Sequence, residues 1–98
     1  MSITITGLNR TARPMPNKAG HVVLAYFTFD MHGLGFVGWA FVRTKNGDLQ
    51  AWPPLIEGLR SNSRSVVFRD LDLRAELNER VKEAYRALGG FIAEDMAA

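Results

Sequence analysis

The side chains in this sequence best suited to chemistry are cations placed where they can contact phosphate groups. Arg43 and Lys45 stand at a turn, and Arg60 and Arg64 lie four residues apart in a stretch rich in serine, LIEGLRSNSRS. Guanidinium, ammonium, hydroxyl and backbone amide groups all donate hydrogen bonds to phosphate oxygens. The predicted nucleic-acid-binding residues are therefore Arg43, Lys45, Arg60 and Arg64, although a solvated loop has the same composition as residues 55–65.

A second group of cations lies near the N-terminus. Residues 10–18 contain Arg10, Arg13 and Lys18 together with two prolines and few apolar side chains. Proline and asparagine in such a stretch favour a loop. Arg10, Arg13 and Lys18 are weaker candidates for phosphate contacts, because a long connection between strands has the same features as a basic arm.

Residues suited to catalysis or metal binding are scattered. His21 and His32 have neither cysteines nor clustered carboxylates to complete a metal-ligand set. The serines at 61, 63 and 65 have no local base, and Asp70 and Asp72 are explained as residues that begin a helix. We expect no catalytic residues, no metal and no cofactor, and hence a protein that is not an enzyme.

Residues 33–38 match the string G-x-G-x-x-G, which occurs in dinucleotide-binding sites. That fingerprint needs a strand before it and a helix that opens within it, so that the helix N-terminus meets the pyrophosphate. A strand follows here instead. The glycines are better explained by twist or close packing within a hairpin.

The charges are unevenly distributed along the 98 residues. Residues 1–69 hold eight basic and three acidic side chains, whereas residues 70–98 hold four basic and seven acidic ones. A basic first part is compatible with polyanion binding, although charge alone favours ordinary solubility. The chain has no cysteine, no secretory signal pattern and no segment long enough to span a bilayer. We therefore expect a cytoplasmic protein.

Residues 21–43 form the core of the predicted fold. They read as two apolar strands joined by a turn at His32-Gly33, and strict alternation leaves both faces apolar. Val23, Ala25, Phe27 and Phe29 would share one face, and Val22, Leu24, Tyr26 and Thr28 the other; Phe36, Ala40 and Val42 would alternate with Val37, Trp39 and Phe41. Such a sheet needs two covers, which predicts a helix on one face and either a second subunit or the curled sheet itself on the other.

The whole chain predicts a single α+β domain over residues 1–98. We expect an antiparallel sheet of about five strands, with one C-terminal helix packed on one face. The strands are predicted at about 2–8, 21–31, 34–43, 48–52 and 65–69, the helix at about 72–88, and a frayed tail at 91–98. The helix is indicated by an apolar stripe at Leu73, Leu77, Val81, Tyr85 and Leu88.

The aromatic side chains permit two interpretations. Five of them can stack on nucleic-acid bases if they are exposed on a sheet face, or they can fill a core or a subunit interface: Tyr26, Phe36, Trp39, Phe41 and Trp52. No lysine or arginine lies between His21 and Arg43. An open stacking surface is expected to have interleaved cations, so the core or interface interpretation is favoured.

The order of these segments resembles the SpoVG family of small bacterial regulators. The matching stretches are AYFTFD at 25–30, Phe36-Val37, NGDLQAWP at 46–53 and YRALG at 85–89. The resemblance implies a dimer with site-tolerant nucleic-acid binding and a regulatory role. Two departures stand out: Pro54-Leu55 replaces the family's small polar and basic pair, and VVFRD at 66–70 replaces its His-Pro segment.

The residues and the resemblance together predict a small, non-enzymatic regulatory protein that acts as a homodimer and binds DNA or RNA with low sequence preference. The alternative is a protein-interaction or assembly module that uses the apolar sheet face and an edge strand and binds no nucleic acid.

Overall fold

The computed structural model describes residues 3–54 and 65–90. It confirms the predicted α+β class, with an antiparallel sheet and one helix. The strands are β1 (Ile3–Arg10), β2 (Val22–Met31), β3 (Leu34–Arg43) and β4 (Leu49–Trp52), and the helix is α1 (Leu71–Ala87). The predicted tail at 91–98 lies outside the described residues.

The sheet is a meander in the order β1-β2-β3-β4, in which each strand pairs with its neighbour in sequence. The turn between β2 and β3 uses His32 at φ 54° and Gly33 at φ 75°, as the predicted two-residue hairpin requires. Between β3 and β4, the N–H of Gly47 donates to the carbonyl of Thr44 at 2.9 Å. Because every connection reverses the chain, the β1–β2 and β3–β4 loops lie at the same end of the sheet.

The helix α1 covers one face of the sheet and contacts both edge strands, β1 and β4. Leu77, Val81 and Tyr85 are buried, and the ring of Tyr85 lies 5.3 Å from that of Phe41. The predicted apolar stripe is confirmed at these positions, whereas Leu88 is exposed. Within the described residues, no helix combines the length and apolar character needed to cross a bilayer.

Both ends of α1 are closed by hydrogen bonds. The Asp70 carboxylate accepts from the N–H groups of Asp72 and Leu73 at 2.9 and 3.3 Å, which identifies it as the N-cap. At the other end, Gly89 and Gly90 donate to the carbonyls of Arg86 and Tyr85. This is a Schellman motif, and it requires the positive φ of 83° that Gly89 adopts.

The prediction of a fifth strand at 65–69 is wrong. Residues 66–68 form no ladder; Val66 and Phe68 instead pack on the core, and the Phe68 ring lies 5.9 Å from that of Trp39. One reason lies at the outer edge of β4, where the N–H of Ala51 donates to the side chain of Asn78 at 2.8 Å. The helix thus occupies the edge at which another strand would pair.

The prediction that side chains of the central hairpin alternate strictly between the two faces of the sheet is also wrong, because bulges change the face that some side chains occupy. Leu24 is an extra residue in β2, opposite the step from Phe41 to Val42. Because one extra residue reverses which face the preceding side chains occupy, Val22 and Leu24 join Ala25 and Phe27 in the buried cluster.

A second bulge has the same effect in β3. Val37 and Gly38 both stand opposite Thr28, and Gly38 adopts a φ of 76°. Phe36 therefore packs with Trp39 rather than on the face of Ala40, and their ring centroids lie 6.0 Å apart. The two bulges place more of the hairpin's apolar side chains against the helix than strict alternation predicts, so the other face of the sheet carries fewer.

Candidate nucleic-acid interface

The end of the sheet that carries the β1–β2 and β3–β4 loops is rich in cations. Residues 10–21 and 43–49 contain five basic side chains and one carboxylate, Asp48. We call these five the basic end: Arg10, Arg13, Lys18, Arg43 and Lys45. Among the described residues, none of the five forms an ion pair. Their positive charge is therefore available to an anionic partner.

The two loops are held together by direct contacts. The backbone N–H of Lys45 donates to Nδ1 of His21 at 3.1 Å. The His21 ring also meets the Trp52 ring edge to face, with centroids 5.1 Å apart. Since His21 precedes β2 and Trp52 belongs to β4, this ring pair bridges β3, where Val42 is fully buried. The pair fixes the position of the β3–β4 turn relative to the start of β2.

The β1–β2 loop is ordered by its asparagine. The Asn17 side-chain oxygen accepts from the N–H groups of Ala19 and His21 at 2.9 and 3.0 Å, and Pro16 forms a single bridge with Val22. Asparagine commonly stabilises turns in this way. Lys18 is therefore held on a defined turn beside the β3–β4 loop.

The predicted phosphate-binding residues differ in their location and exposure. Arg43 is half-buried at the end of β3, and Lys45 is exposed in the following turn. Arg60 and Arg64 lie outside the described residues. Of the weaker candidates, Arg13 and Lys18 are exposed, while Arg10 donates through Nη1 to the carbonyl of Gly89 at 2.9 Å and so also serves the helix end.

From the sequence, Arg10, Arg13 and Lys18 are weaker candidates, because a long connection between strands has the same features as a basic arm. The topology brings them to the same end as Arg43 and Lys45. The number of chain reversals in the sequence could have predicted this proximity, because the first and third connections of a four-stranded meander lie at the same end of the sheet. The role of each cation in binding stays a prediction.

A concave region lies at the end of the molecule opposite the basic end. It is a cavity of about 320 Å³ whose walls include Phe29, Met31 and Phe36, and its titratable groups are Arg69 and Asp70. Asp70 already caps the helix. In the part of the chain that the structure describes, no group of three or more histidine, cysteine, aspartate or glutamate residues is placed to hold a metal ion.

Comparison of the chain with protein-family models, curated proteins and solved structures gives no match. The resemblance to the SpoVG family therefore stays a prediction that rests on the short stretches quoted above.

Proposed function

We propose that this protein binds nucleic acid through the basic end, without catalysing a reaction, and acts as a regulator with low sequence preference. The observation that supports the proposal is the gathering of five cations beside a single carboxylate at one end of the sheet. Phosphate contacts of this kind position a protein on nucleic acid and carry little sequence information. Binding should therefore tolerate many sequences and weaken steeply with salt.

The opposite end of the sheet carries more aspartates than the basic end. The β2–β3 turn and the start of α1 carry Asp30, Asp70 and Asp72, together with Arg69. The loops at the two ends of the sheet thus differ in charge. A polyanion would be drawn towards one end and not distributed over the whole surface.

The test is fluorescence anisotropy with labelled single-stranded DNA, duplex DNA and RNA at several salt concentrations. The informative variant is Arg13→Ala combined with Lys45→Ala, because both side chains are exposed at the basic end. If both contact phosphates, the slope of log affinity against log salt should fall by about two, one for each lost contact.

The matched control combines Arg69→Ala with Arg80→Ala, which removes the same charge from exposed positions on and before the helix. We expect the control to keep the wild-type slope. An equal loss in both variants would indicate a diffuse charge effect. No salt-dependent binding of any polymer would contradict the proposal and would favour the protein-interaction module.

The homodimer also stays a prediction. Because Val22 and Leu24 are buried within the chain, the apolar surface left for a partner is smaller than strict alternation suggested. Sedimentation analysis of the wild-type protein measures the oligomeric state directly.

A further inference from the structure

We infer that a depression beside Tyr26, on the sheet face opposite the helix, receives an unpaired base of single-stranded nucleic acid. The inference rests on the proposed function and names the form of nucleic acid that the site selects. The depression has a volume of about 240 Å³ and is lined by Gly7, Asn9, Tyr26, Phe27, Thr28, Val37 and Gly38.

Two bulges at the same level of the sheet make this depression. In β1, Thr6 is an extra residue between the pairs Ile5–Phe29 and Gly7–Thr28. In β3, Val37 and Gly38 both face the same residue, Thr28. A glycine therefore flanks Thr28 on each side, and the absence of two side chains lowers the surface around it.

Tyr26 borders the depression and is 54% exposed as a residue, while Phe27 beside it is buried in the core. An exposed tyrosine presents a flat aromatic face on which any of the bases can stack. Stacking of this kind needs no particular sequence, which agrees with the low sequence preference proposed above. Val37, at 72% exposure, adds an apolar wall on the neighbouring strand.

Polar groups stand where the edge of a stacked base would lie. Asn9 pairs with Tyr26 across β1 and β2, and its side-chain amide forms no hydrogen bond to another described residue. The Thr28 hydroxyl is held by that of Thr6, with the two oxygens 3.0 Å apart. An amide has both donors and acceptors, and a threonine hydroxyl keeps a second acceptor site, so these groups can serve different bases.

The depression lies close enough to the basic end for one strand of nucleic acid to reach both. On the Tyr26 face, Tyr26 pairs with Ala40 and Ala40 pairs with Trp52. The Trp52 ring meets that of His21, which accepts from the backbone N–H of the exposed Lys45. Ala40 also lies only three residues from the end of β3, or roughly 10 Å at the rise of an extended strand. Phosphates of the same strand can therefore contact the cations while a base occupies the depression.

Charge and shape favour a single strand over the other possible occupants. A duplex keeps the faces of its bases stacked inside, where a tyrosine on a sheet surface cannot reach them. The five cations of the basic end complement a polyanion.

The experiment compares Tyr26→Ala and Tyr26→Phe with wild type in anisotropy titrations against pyrimidine single strands of DNA and of RNA and against a duplex of the same length. Leu71→Ala, an exposed apolar residue on the helix, is the matched control. Thermal unfolding verifies that each variant is folded, as we expect for an exposed position such as Tyr26.

We expect wild type to prefer single strands, Tyr26→Ala to lose on the order of tenfold in affinity, and Tyr26→Phe and Leu71→Ala to bind like wild type. The salt slope of Tyr26→Ala should stay unchanged, because stacking releases no counterions. Affinities for the DNA and RNA strands show which polymer is the ligand.

Three results would overturn the inference: wild-type affinity in Tyr26→Ala, tighter binding to duplex than to single strands, or a wild-type dimer that Tyr26→Ala converts to monomer. The first two leave the proposed function standing, since salt-dependent binding persists. Failure of the proposed function is a different result, the absence of binding to every polymer.

Discussion

The bulge at Gly38 supports a quantitative prediction, because β3 contains a matched glycine three residues away. Gly38 adopts a φ of 76°, whereas Gly35 does not have a positive φ. A Cβ added at Gly38 would meet nothing within 4 Å, and one added at Gly35 would meet only the Asp30 carboxylate at 3.6 Å. Neither substitution to alanine creates a clash, so any difference in stability reports backbone conformation.

The magnitude follows from the two dihedral angles. An alanine forced into the left-handed region costs about 1–2 kcal/mol, and we expect Gly38→Ala to destabilise the fold by that amount. Gly35→Ala should instead stabilise it by about 0.4–1 kcal/mol, because alanine restricts the unfolded chain at a conformation it accepts. The two variants should therefore differ by roughly 1.5–3 kcal/mol in free energy of unfolding.

Urea denaturation monitored by tryptophan fluorescence measures this difference, with equal m-values as the check that both variants unfold alike. In thermal unfolding each kcal/mol corresponds to about 4–8 °C for a domain of this size. Gly38→Asn should recover part of the loss, because asparagine enters the left-handed region more readily than alanine. Equal stability of Gly38→Ala and Gly35→Ala would refute the assignment of the bulge to the backbone of Gly38.

Three further substitutions test other contacts by the same denaturation assay. Asn78→Ala should cost about 1–3 kcal/mol, because the buried N–H of Ala51 loses its acceptor; Asn78→Asp keeps an acceptor and should lose less. Gly90→Ala should cost about 1–3 kcal/mol, because the new Cβ would overlap the buried ring of Tyr85, and a wild-type stability would show that the ring moves aside. Asp70→Ala should cost about 1 kcal/mol through loss of the N-cap, whereas Asp70→Asn retains a cap and should stay within a few tenths; equal losses would contradict the capping role.

Local chemistry was enough to predict most elements of the fold. The helix start at Asp70, its end at Gly89 and the turn at His32-Gly33 all depend on residues within a few positions of one another. Caps and tight turns are determined by short-range hydrogen bonds and by the dihedral preferences of individual residues. The helical stripe at Leu77, Val81 and Tyr85 has the same local origin, since its period is that of the helix itself.

The pairing of strands could not be predicted in the same way. Whether Leu24 or Gly38 is a bulge depends on which residue of the partner strand stands opposite, and that is decided by which side chains of the hairpin are buried in the core. The segment 65–69 has the composition of a strand, yet it packs over Trp39 because Asn78 occupies the edge of β4. β propensity describes how a side chain fits a surface and leaves open whether an edge is free.

The candidate site, too, could be predicted from the sequence only in part. Residue types alone predicted that Arg43 and Lys45 contact phosphates and that Arg10, Arg13 and Lys18 lie on a loop. Arg13 and Lys18 do lie in the β1–β2 loop, whereas the loop prediction is wrong for Arg10, which ends β1. Only the meander brings these cations to one end of the sheet, and only the strand register places Gly7 and Gly38 on either side of Thr28, beside the exposed Tyr26. Side-chain chemistry is a property of single residues, whereas the proximity of distant residues is decided by the tertiary structure that buries the most apolar surface.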